Sequence, residues 1–254
     1  MRVLVVLPTY NEAATIESIL GRVRGALPDA SILVVDDASP DGTAKIAADV
    51  GERCGKVEVL SRPSKMGLGS AYRDGFRWGL ERGYEAFVEM DSDFSHDPDA
   101  LPAIVAPLAD GYEVCIGSRY VPGGSIPNWS FPRRMLSRGG NIYADLLLGL
   151  GVKDSTAGFR AYSASVLGRI ELGSVKAESY GFQIEMTYRA IKLGARIKEV
   201  PIRFVDRELG TSKMSTYTVV EALGLVSWWG LKRVVDRLRS ARAASGAARP
   251  PSSR

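Results

Sequence analysis

The chain has 254 residues, 45% hydrophobic and 24% charged, enough to bury a sizeable core as one large domain or a domain with an appendage. Its formal charge is +4, yet residues 232–254 hold seven Lys/Arg against one Asp, which leaves 26 Lys/Arg and 28 Asp/Glu in the rest. The body is therefore slightly acidic, which excludes a polybasic nucleic-acid binder and confines the basicity to the C-terminus.

Residues 3–7 form a continuous run of Val and Leu that stops at Pro8, the pattern of a strand buried on both faces. One basic residue before so short a run is no secretory pattern, so a chain without a leader is expected. Thr9-Tyr10-Asn11-Glu12 follows, and Ile16, Ile19, Leu20, Val23 and Leu27 then recur at helical spacing. A second strand over 31–35 runs into Asp36-Asp37-Ala38-Ser39-Pro40-Asp41-Gly42-Thr43, a turn rich in capping residues. A helix over 43–53 and a strand over 57–60 come next. Cys54 and Cys115 have no motif spacing, which argues against a disulfide framework and fits a reducing compartment. Leu68, Ala71, Tyr72, Gly75, Phe76, Gly79 and Leu80 share one helical face, after a loop that carries Lys65.

The strand over 86–90 delivers Asp91-Ser92-Asp93. On a strand these two carboxylates point to the same side, and hard oxygens so placed suit Mg²⁺ or Mn²⁺ with a phosphate completing the shell. A helix over 98–109 and a strand over 114–117 lead to Ser118-Arg119-Tyr120. Four strand–helix repeats predict an α/β fold, a mostly parallel twisted sheet flanked by helices. Ligands in such sheets bind beyond the carboxyl ends of the strands, where the polar clusters 8–12, 36–41, 91–93 and 118–119 all fall.

The second half is less regular. A Gly/Pro loop spans 121–131, and a helix spans 133–150 with Arg133, Arg134 and Arg138 near its start. A short strand is expected over 158–162, a helix over 182–192 and a strand over 196–205, followed by a polar loop over 206–214. Gln183 and Glu185 either brace the loops around the site or contact a ligand. His96, alone in a polar turn, reads as structural. The helix over 216–239 carries an apolar middle with Trp228 and Trp229 side by side and a basic flank. It is too short in its apolar part to span a bilayer and suits a C-terminal amphipathic helix lying in a membrane interface, with a docked core helix as the other reading. The domain plan is a catalytic domain over 1–215, this helix over 216–240 and a disordered basic tail over 241–254.

Taken together, Pro8–Glu12, Asp36–Thr43, Lys65–Gly69, Asp91-Ser92-Asp93, Gly117–Tyr120, Gly158-Phe159-Arg160, Gly181–Glu185 and Arg207–Lys213 resemble, in order, the motifs of glycosyltransferase family 2, and within it the polyprenol-phosphate (dolichyl-phosphate) mannosyltransferases. The resemblance implies a GT-A fold, GDP-mannose as donor and a polyprenyl phosphate in the membrane as acceptor. It implies inverting transfer that gives a β-linked mannosyl phosphate, with Mg²⁺ or Mn²⁺ as cofactor. By it Pro8, Tyr10, Glu12, Val35 and Asp37 hold the nucleoside, Asp91 and Ser92 contact the donor, and Asp93 binds the metal. Ser95 stands where the family often has Gln, so the implied metal set is Asp91, Asp93 and Ser95. Arg119, Arg133 and Ser137 receive the acceptor phosphate. Arg207 and Lys213 sit over the diphosphate, with Arg119 also counted on the donor side. Asp93 and Arg119 are the implied catalytic pair. A cytoplasmic location, peripheral on that face of the membrane, follows from the same resemblance, which also leaves room for a membrane-anchoring partner protein. The competing readings are a lipid-phosphate glycosyltransferase using UDP-glucose or another nucleotide sugar, and a non-catalytic sugar-nucleotide-binding protein.

Overall fold

The structure, a computed structural model, describes residues 1–206 and 216–247. The apolar runs become strands because their side chains have nowhere else to go: Leu4 to Leu7 on β1 (Val3–Thr9) are all fully buried. The chain continues through α1 (Ile16–Ala26), β2 (Ser31–Asp36), α2 (Thr43–Cys54), β3 (Val57–Ser61), α3 (Leu68–Glu81) and β4 (Ala86–Glu89). After a 3₁₀ turn over Pro98–Ala100 come α4 (Leu101–Ala109), β5 (Val114–Ser118), α5 (Phe131–Leu148), β6 (Arg160–Ser163) and α6 (Ala164–Arg169). The chain ends on α7 (Ser179–Lys192), β7 (Ile197–Pro201) and α8 (Thr216–Ala247).

Seven strands form one sheet in the order β3-β2-β1-β4-β6-β5-β7. Every pairing is parallel except those of β6, which runs antiparallel between β4 and β5. One face packs against α1, α2 and α4 around Ile19, Val34 and Ile104. The other packs against α3, α6 and α7 around Tyr72, Phe76 and Phe182. Helix α3 comes unusually close to the sheet. A Cβ on Gly75 would lie 2.6 Å from Val6 Cγ1, and one on Gly79 would collide with Phe87 and Leu4.

Helix α8 docks across α5 and α7 through Ala222, Val226 and the partly buried Trp229, which stacks on Tyr188. Its neighbour Trp228 is 64% exposed, so the paired tryptophans divide between docking and display. Phe131, Met135, Leu136, Ile142 and Leu146 of α5 and Val220, Leu231 and Val234 of α8 also face outward. No helix among the described residues is long and apolar enough to cross a membrane.

The structure departs from the sequence expectations in detail. The expected helix over 98–109 opens with the 3₁₀ turn, and α7 begins three residues early, at Ser179. The alternation over 196–205 yields only the five-residue β7, after which Arg203 bridges Ser125 in isolation. Helix α6 was not expected; six residues are too few to display a period, and it is started by Ser163 Oγ accepting from Val166 N at 3.2 Å. Helix α8 runs on past residue 239 to Ala247, through an Ala-rich stretch of high helix propensity. The part of the expected tail over 248–254 and the expected loop over 207–215 lie outside the described residues.

Candidate functional site

Because β1, β2, β4 and β5 run parallel, their carboxyl ends open on one rim, and the start of β6 joins them there. A cavity of about 590 Å³ lies on that rim. At its β1–β2 side the two turns brace one another. Thr9 Oγ1 donates to Asp36 Oδ1 at 2.8 Å, and Ser39 adds bonds to Asp36 from N (2.9 Å) and Oγ (2.6 Å). Asp41 accepts from Thr43 N at 3.0 Å, Thr43 Oγ1 at 2.6 Å and Ala13 N at 3.0 Å. Its slight burial acts to raise its pKa, but these bonds outweigh that and hold it below the usual carboxylate range. Asp36 and Asp41 are thus turn-builders. Asp37 lines the cavity, ion-paired with the buried Arg62 and accepting from Met66 N at 3.1 Å. Lys65 lies 4.3 Å over the Tyr10 ring.

The turn after β4 is built to present carboxylates. Asp93 Oδ1 accepts from Ser95 N at 3.0 Å and from Ser95 Oγ at 2.6 Å, while Phe94 takes a positive φ of 61° to close the turn. Asp91 is about one-third exposed to the cavity and takes a long contact, 3.5 Å, from Tyr72 Oη. His96 fixes the turn from behind: its Nδ1 accepts from Asp91 N at 3.0 Å, and its ring stacks on Phe159 at 5.0 Å and meets Phe204 edge-on at 5.6 Å. Burial pushes the His96 pKa down to about 4; Asp93 opposes that shift and Arg119 reinforces it. The imidazole is therefore neutral near pH 7, and its role is to orient.

Strand β4 ends at Glu89, so Asp91 and Asp93 lie in the turn beyond it and not, as expected, on one side of a strand; both line the cavity, and their hard oxygens are of the kind that suits a divalent cation. Ser95 spends its hydroxyl proton on Asp93, so its first effect is to set the direction of that carboxylate. Among the described residues no group of three His, Cys, Asp or Glu side chains gathers as a metal cage.

Beneath the turn, Glu89 sits opposite Arg160 in the β4–β6 register, and both are fully buried. Arg160 donates to the carbonyls of Ser155 (2.7 Å), Ala157 (2.7 Å) and Gln183 (2.9 Å) and to Thr187 Oγ1 (2.7 Å). Burial raises the Glu89 pKa to about 8 against the pull of Arg160. Gln183 and Tyr162 approach that carboxyl without a hydrogen bond of normal geometry. Glu185 on the same helix is fully engaged, accepting from Ala177 N at 3.1 Å and from Arg189 Nε at 2.9 Å. It braces the loop before α7.

At the other end of the cavity Arg119 is held by the fully buried Asp154. Its N, Nε and Nη2 donate to that carboxylate at 2.9, 2.7 and 2.6 Å, and Nη2 also reaches Thr156 Oγ1 at 2.8 Å. Burial opposes the charge on Arg119, and Asp154 more than compensates, so its pKa is raised. Arg133 lies 4.0 Å over the Trp129 ring, and its Nη1 donates to both oxygens of Asp206 at 2.9 and 2.8 Å. Trp129 Nε1 donates to the same Asp206 at 3.0 Å. Ser137 Oγ accepts from Tyr120 Oη at 2.8 Å.

A second cavity of about 530 Å³ begins at these residues. It shares Arg119, Trp129, Arg133, Thr156 and Tyr180 with the first and continues as an apolar groove between α5 and α8 over Leu136, Ile184, Val219, Leu223 and Val226. A polar chamber and an apolar groove therefore meet at two arginines.

The polar chamber brings together Pro8, Tyr10, Glu12 and Asp37 with Asp91, Ser92, Asp93 and Ser95, and Arg119 and Arg133 close its far end. Val35 does not line it: the side chain is fully buried in the core facing α3. Ser137 lies on the groove side. Arg207 and Lys213 are outside the described residues. Asp154 and Asp206 were missed in the sequence, where nothing local marks them; each acts on an arginine far away in the chain, 35 and 73 residues off.

The family model for glycosyl transferase family 2 matches residues 4–170. The chain is 50% identical over 240 residues to a Micrococcus luteus protein named undecaprenyl-phosphate mannosyltransferase, covering 94% of this chain and 98% of that one. It is 48% identical over 239 residues to the polyprenol monophosphomannose synthase of Mycolicibacterium smegmatis, covering 94% and 90%. Among solved structures, the Pyrobaculum calidifontis mannosyltransferase crystallised with GDP-Man and Mn²⁺ superposes with a TM-score of 0.55 at 18% identity, covering 98% of this chain and 76% of that one. The Mycobacterium tuberculosis glucosyl-3-phosphoglycerate synthase with Mn²⁺ and UDP-glucose superposes at 0.60 with 23% identity, covering 87% and 75%. At such identities these two show the fold, the GT-A fold, alone.

Replacing Asp154 by Ala leaves the Arg119 guanidinium buried without its carboxylate, which costs about 3–5 kcal/mol. Urea unfolding is expected to show that loss, and a change below roughly 1 kcal/mol, the scale of an exposed pair, contradicts the assignment.

Proposed function

The chain belongs to glycosyl transferase family 2, and from that premise we propose that it transfers mannose from GDP-mannose to a polyprenyl phosphate with inversion at the anomeric carbon. The observation that carries this reading is the meeting of the polar chamber with the apolar groove at Arg119 and Arg133. A nucleotide sugar suits the first, a hydrocarbon chain suits the second, and a lipid phosphate belongs where they join. The high identity to proteins named for undecaprenyl-phosphate and polyprenol mannose transfer supports the same acceptor class.

In this reading a phosphate oxygen of the lipid attacks the anomeric carbon, the bond from that carbon to the GDP oxygen breaks, and GDP departs with the electron pair. The acceptor is already anionic near neutral pH, so no strong general base is needed. That agrees with the neutral, backbone-bonded His96. The protein's task is positioning and charge. Asp154 locks the Arg119 fork toward the junction, and Asp206 and Trp129 do the same for Arg133. Asp91 and Asp93 would hold Mg²⁺ or Mn²⁺, which when bound offsets the charge of the leaving diphosphate. Arg207 and Lys213 are proposed to cover that diphosphate from the loop after Asp206. The outward Trp228 and Leu231 of α8 and Phe131 and Leu146 of α5 lie on the two helices that form the groove and suit a protein resting on the cytoplasmic membrane surface that holds its acceptor.

The test is a donor panel with a polyprenyl phosphate and Mg²⁺ or Mn²⁺, reading radiolabel that moves into the organic phase. GDP-mannose is expected to label the lipid, whereas labelling by UDP-glucose instead contradicts the donor. Asp93→Ala is expected to lower turnover by about 10²–10³-fold, the scale of losing one transition-state electrostatic contact. Near-normal turnover in that variant contradicts its role. Arg133→Ala should raise the KM for the lipid phosphate roughly 10- to 100-fold, the worth of one charged hydrogen bond, and leave the KM for GDP-mannose within about twofold. Equal losses for both substrates would place Arg133 on the donor side instead.

A further inference from the structure

Arg133 and Trp129 line both cavities, and one carboxylate engages the two of them. Arg133 Nη1 donates to both oxygens of Asp206 at 2.9 and 2.8 Å, and Trp129 Nε1 donates to its Oδ1 at 3.0 Å. Asp206 lines the polar chamber, the side from which a sugar would meet an acceptor phosphate. A guanidinium and an indole N–H that converge on a carboxylate oxygen are the same donors that a phosphate oxygen accepts from.

The two arginines at the junction are held in different ways. Arg119 gives Asp154 a fork of Nε and Nη2, and the two side chains are 5% and 0% exposed. Arg133 gives Asp206 a single nitrogen, and these side chains are 25% and 36% exposed. Among the described residues the buried Nε of Arg133 makes no hydrogen bond. A one-nitrogen ion pair open to solvent is weak and exchanges readily, whereas a buried fork does not. The backbone leading to Asp206 is fixed, with Phe204 N donating to Ser125 O at 3.0 Å and Val205 N to Ser95 O at 3.4 Å. The carboxylate can therefore leave Arg133 by rotating its side chain, and its tether returns it at high effective concentration.

What displaces it is decided by charge. A phosphate monoester carries close to two negative charges near neutral pH, against one on Asp206. During transfer one phosphate oxygen becomes the bridge to the sugar, GDP leaves with the electron pair, and the phosphodiester formed keeps one negative charge. A dianion at the same distance is attracted to Arg133 about twice as strongly as a carboxylate, and a monoanion about equally. A tethered carboxylate therefore yields to the first and resists the second. We propose that Asp206 is a specificity-determining residue for the acceptor, a carboxylate that competes for Arg133 and so admits a phosphate monoester while disfavouring the phosphodiester product. It orients Arg133 and competes for it through the same two contacts. The proposal rests on the reading of the junction as the acceptor-phosphate site and adds to it the residue that screens what binds there.

The experiment compares wild type with Asp206→Asn, which keeps the shape and removes the charge, and with Asp206→Glu. Binding of citronellyl phosphate and of methyl citronellyl phosphate, which differ by one methyl ester and one charge, is measured by calorimetry at about pH 8 without a nucleotide sugar, together with the thermal midpoint. Wild type should bind the monoester at least tenfold more tightly than the diester. In Asp206→Asn that preference should fall tenfold or more, chiefly because the diester binds more tightly, and the midpoint should hold. Asp206→Glu should keep the preference within about threefold of wild type. In turnover assays Asp206→Asn should show a Ki for polyprenyl mannosyl phosphate at least tenfold lower, with the KM for GDP-mannose within about twofold. An unchanged preference in Asp206→Asn overturns the proposal. So does a fall in midpoint with equal weakening of both ligands, which would make Asp206 a brace alone. Wild type that binds both ligands equally overturns the proposal and leaves the acceptor site standing, whereas wild type that binds neither overturns both. Because no donor is present, the binding result holds whichever nucleotide sugar the protein uses.

Discussion

The ion pair between Arg119 and Asp154 is the contact on which the site depends. It sits where a chamber lined with carboxylates and hydroxyls gives way to a groove lined with Leu, Ile and Val. A guanidinium in such a place loses most of its water, and only a carboxylate that uses its hydrogen-bonding capacity well makes that tolerable. Asp154 does so through the backbone and two side-chain nitrogens of Arg119. Aromatic faces complete the setting, with Trp129 and Phe204 near 5.5 Å from the same guanidinium. The result is a cation tethered at the boundary of the two cavities, both of which it lines.

The same device recurs. Among the described residues three arginines are buried, and each ties loops at the carboxyl rim of the sheet to the elements beneath. Arg62 joins the Asp37 turn to α3 through Ser70 and Gly67. Arg119 joins the end of β5 to the 154–156 loop. Arg160 joins that loop to α7 and faces Glu89 across the strands. Loops carry the chemistry in folds of this kind and are ordinarily their most mobile parts. Buried guanidinium forks, with several donors in one plane, hold a loop in one geometry at several points. A neutral His96 does the equivalent for the Asp91–Asp93 turn with one acceptor nitrogen and two aromatic neighbours.

Much of this was legible in the sequence, and the limits have physical causes. Runs such as Val3–Leu7 and the residues before Asp91 announce strands because a strand buried on both faces needs an unbroken apolar stretch. Their order along the chain then places the polar clusters on one rim. The antiparallel β6 was not legible, since four residues carry no record of strand direction. Asp154 and Asp206 were not legible either, because an ion pair between distant residues leaves no local trace. Gln183 and Glu185 look alike in sequence; only their surroundings show that Glu185 braces the loop before α7 while Gln183 meets the buried Glu89 carboxyl. The adjacent tryptophans pointed to a surface or a core, and the fold uses one for each. Phe131 and Leu146 on α5 extend that outward apolar surface, which the sequence reading had placed on the last helix alone.

The central claim is that a lipid phosphate reaches the donor through the groove between α5 and α8. A polyprenyl phosphate carrying a photoreactive group near its phosphate end tests this most directly, with adducts mapped by mass spectrometry. The account predicts adducts concentrated within residues 135–143 and 219–226, suppressed by excess unlabelled polyprenyl phosphate and unaffected by GDP. Adducts located elsewhere on the chain, or suppressed by GDP as strongly as by the lipid, would contradict it.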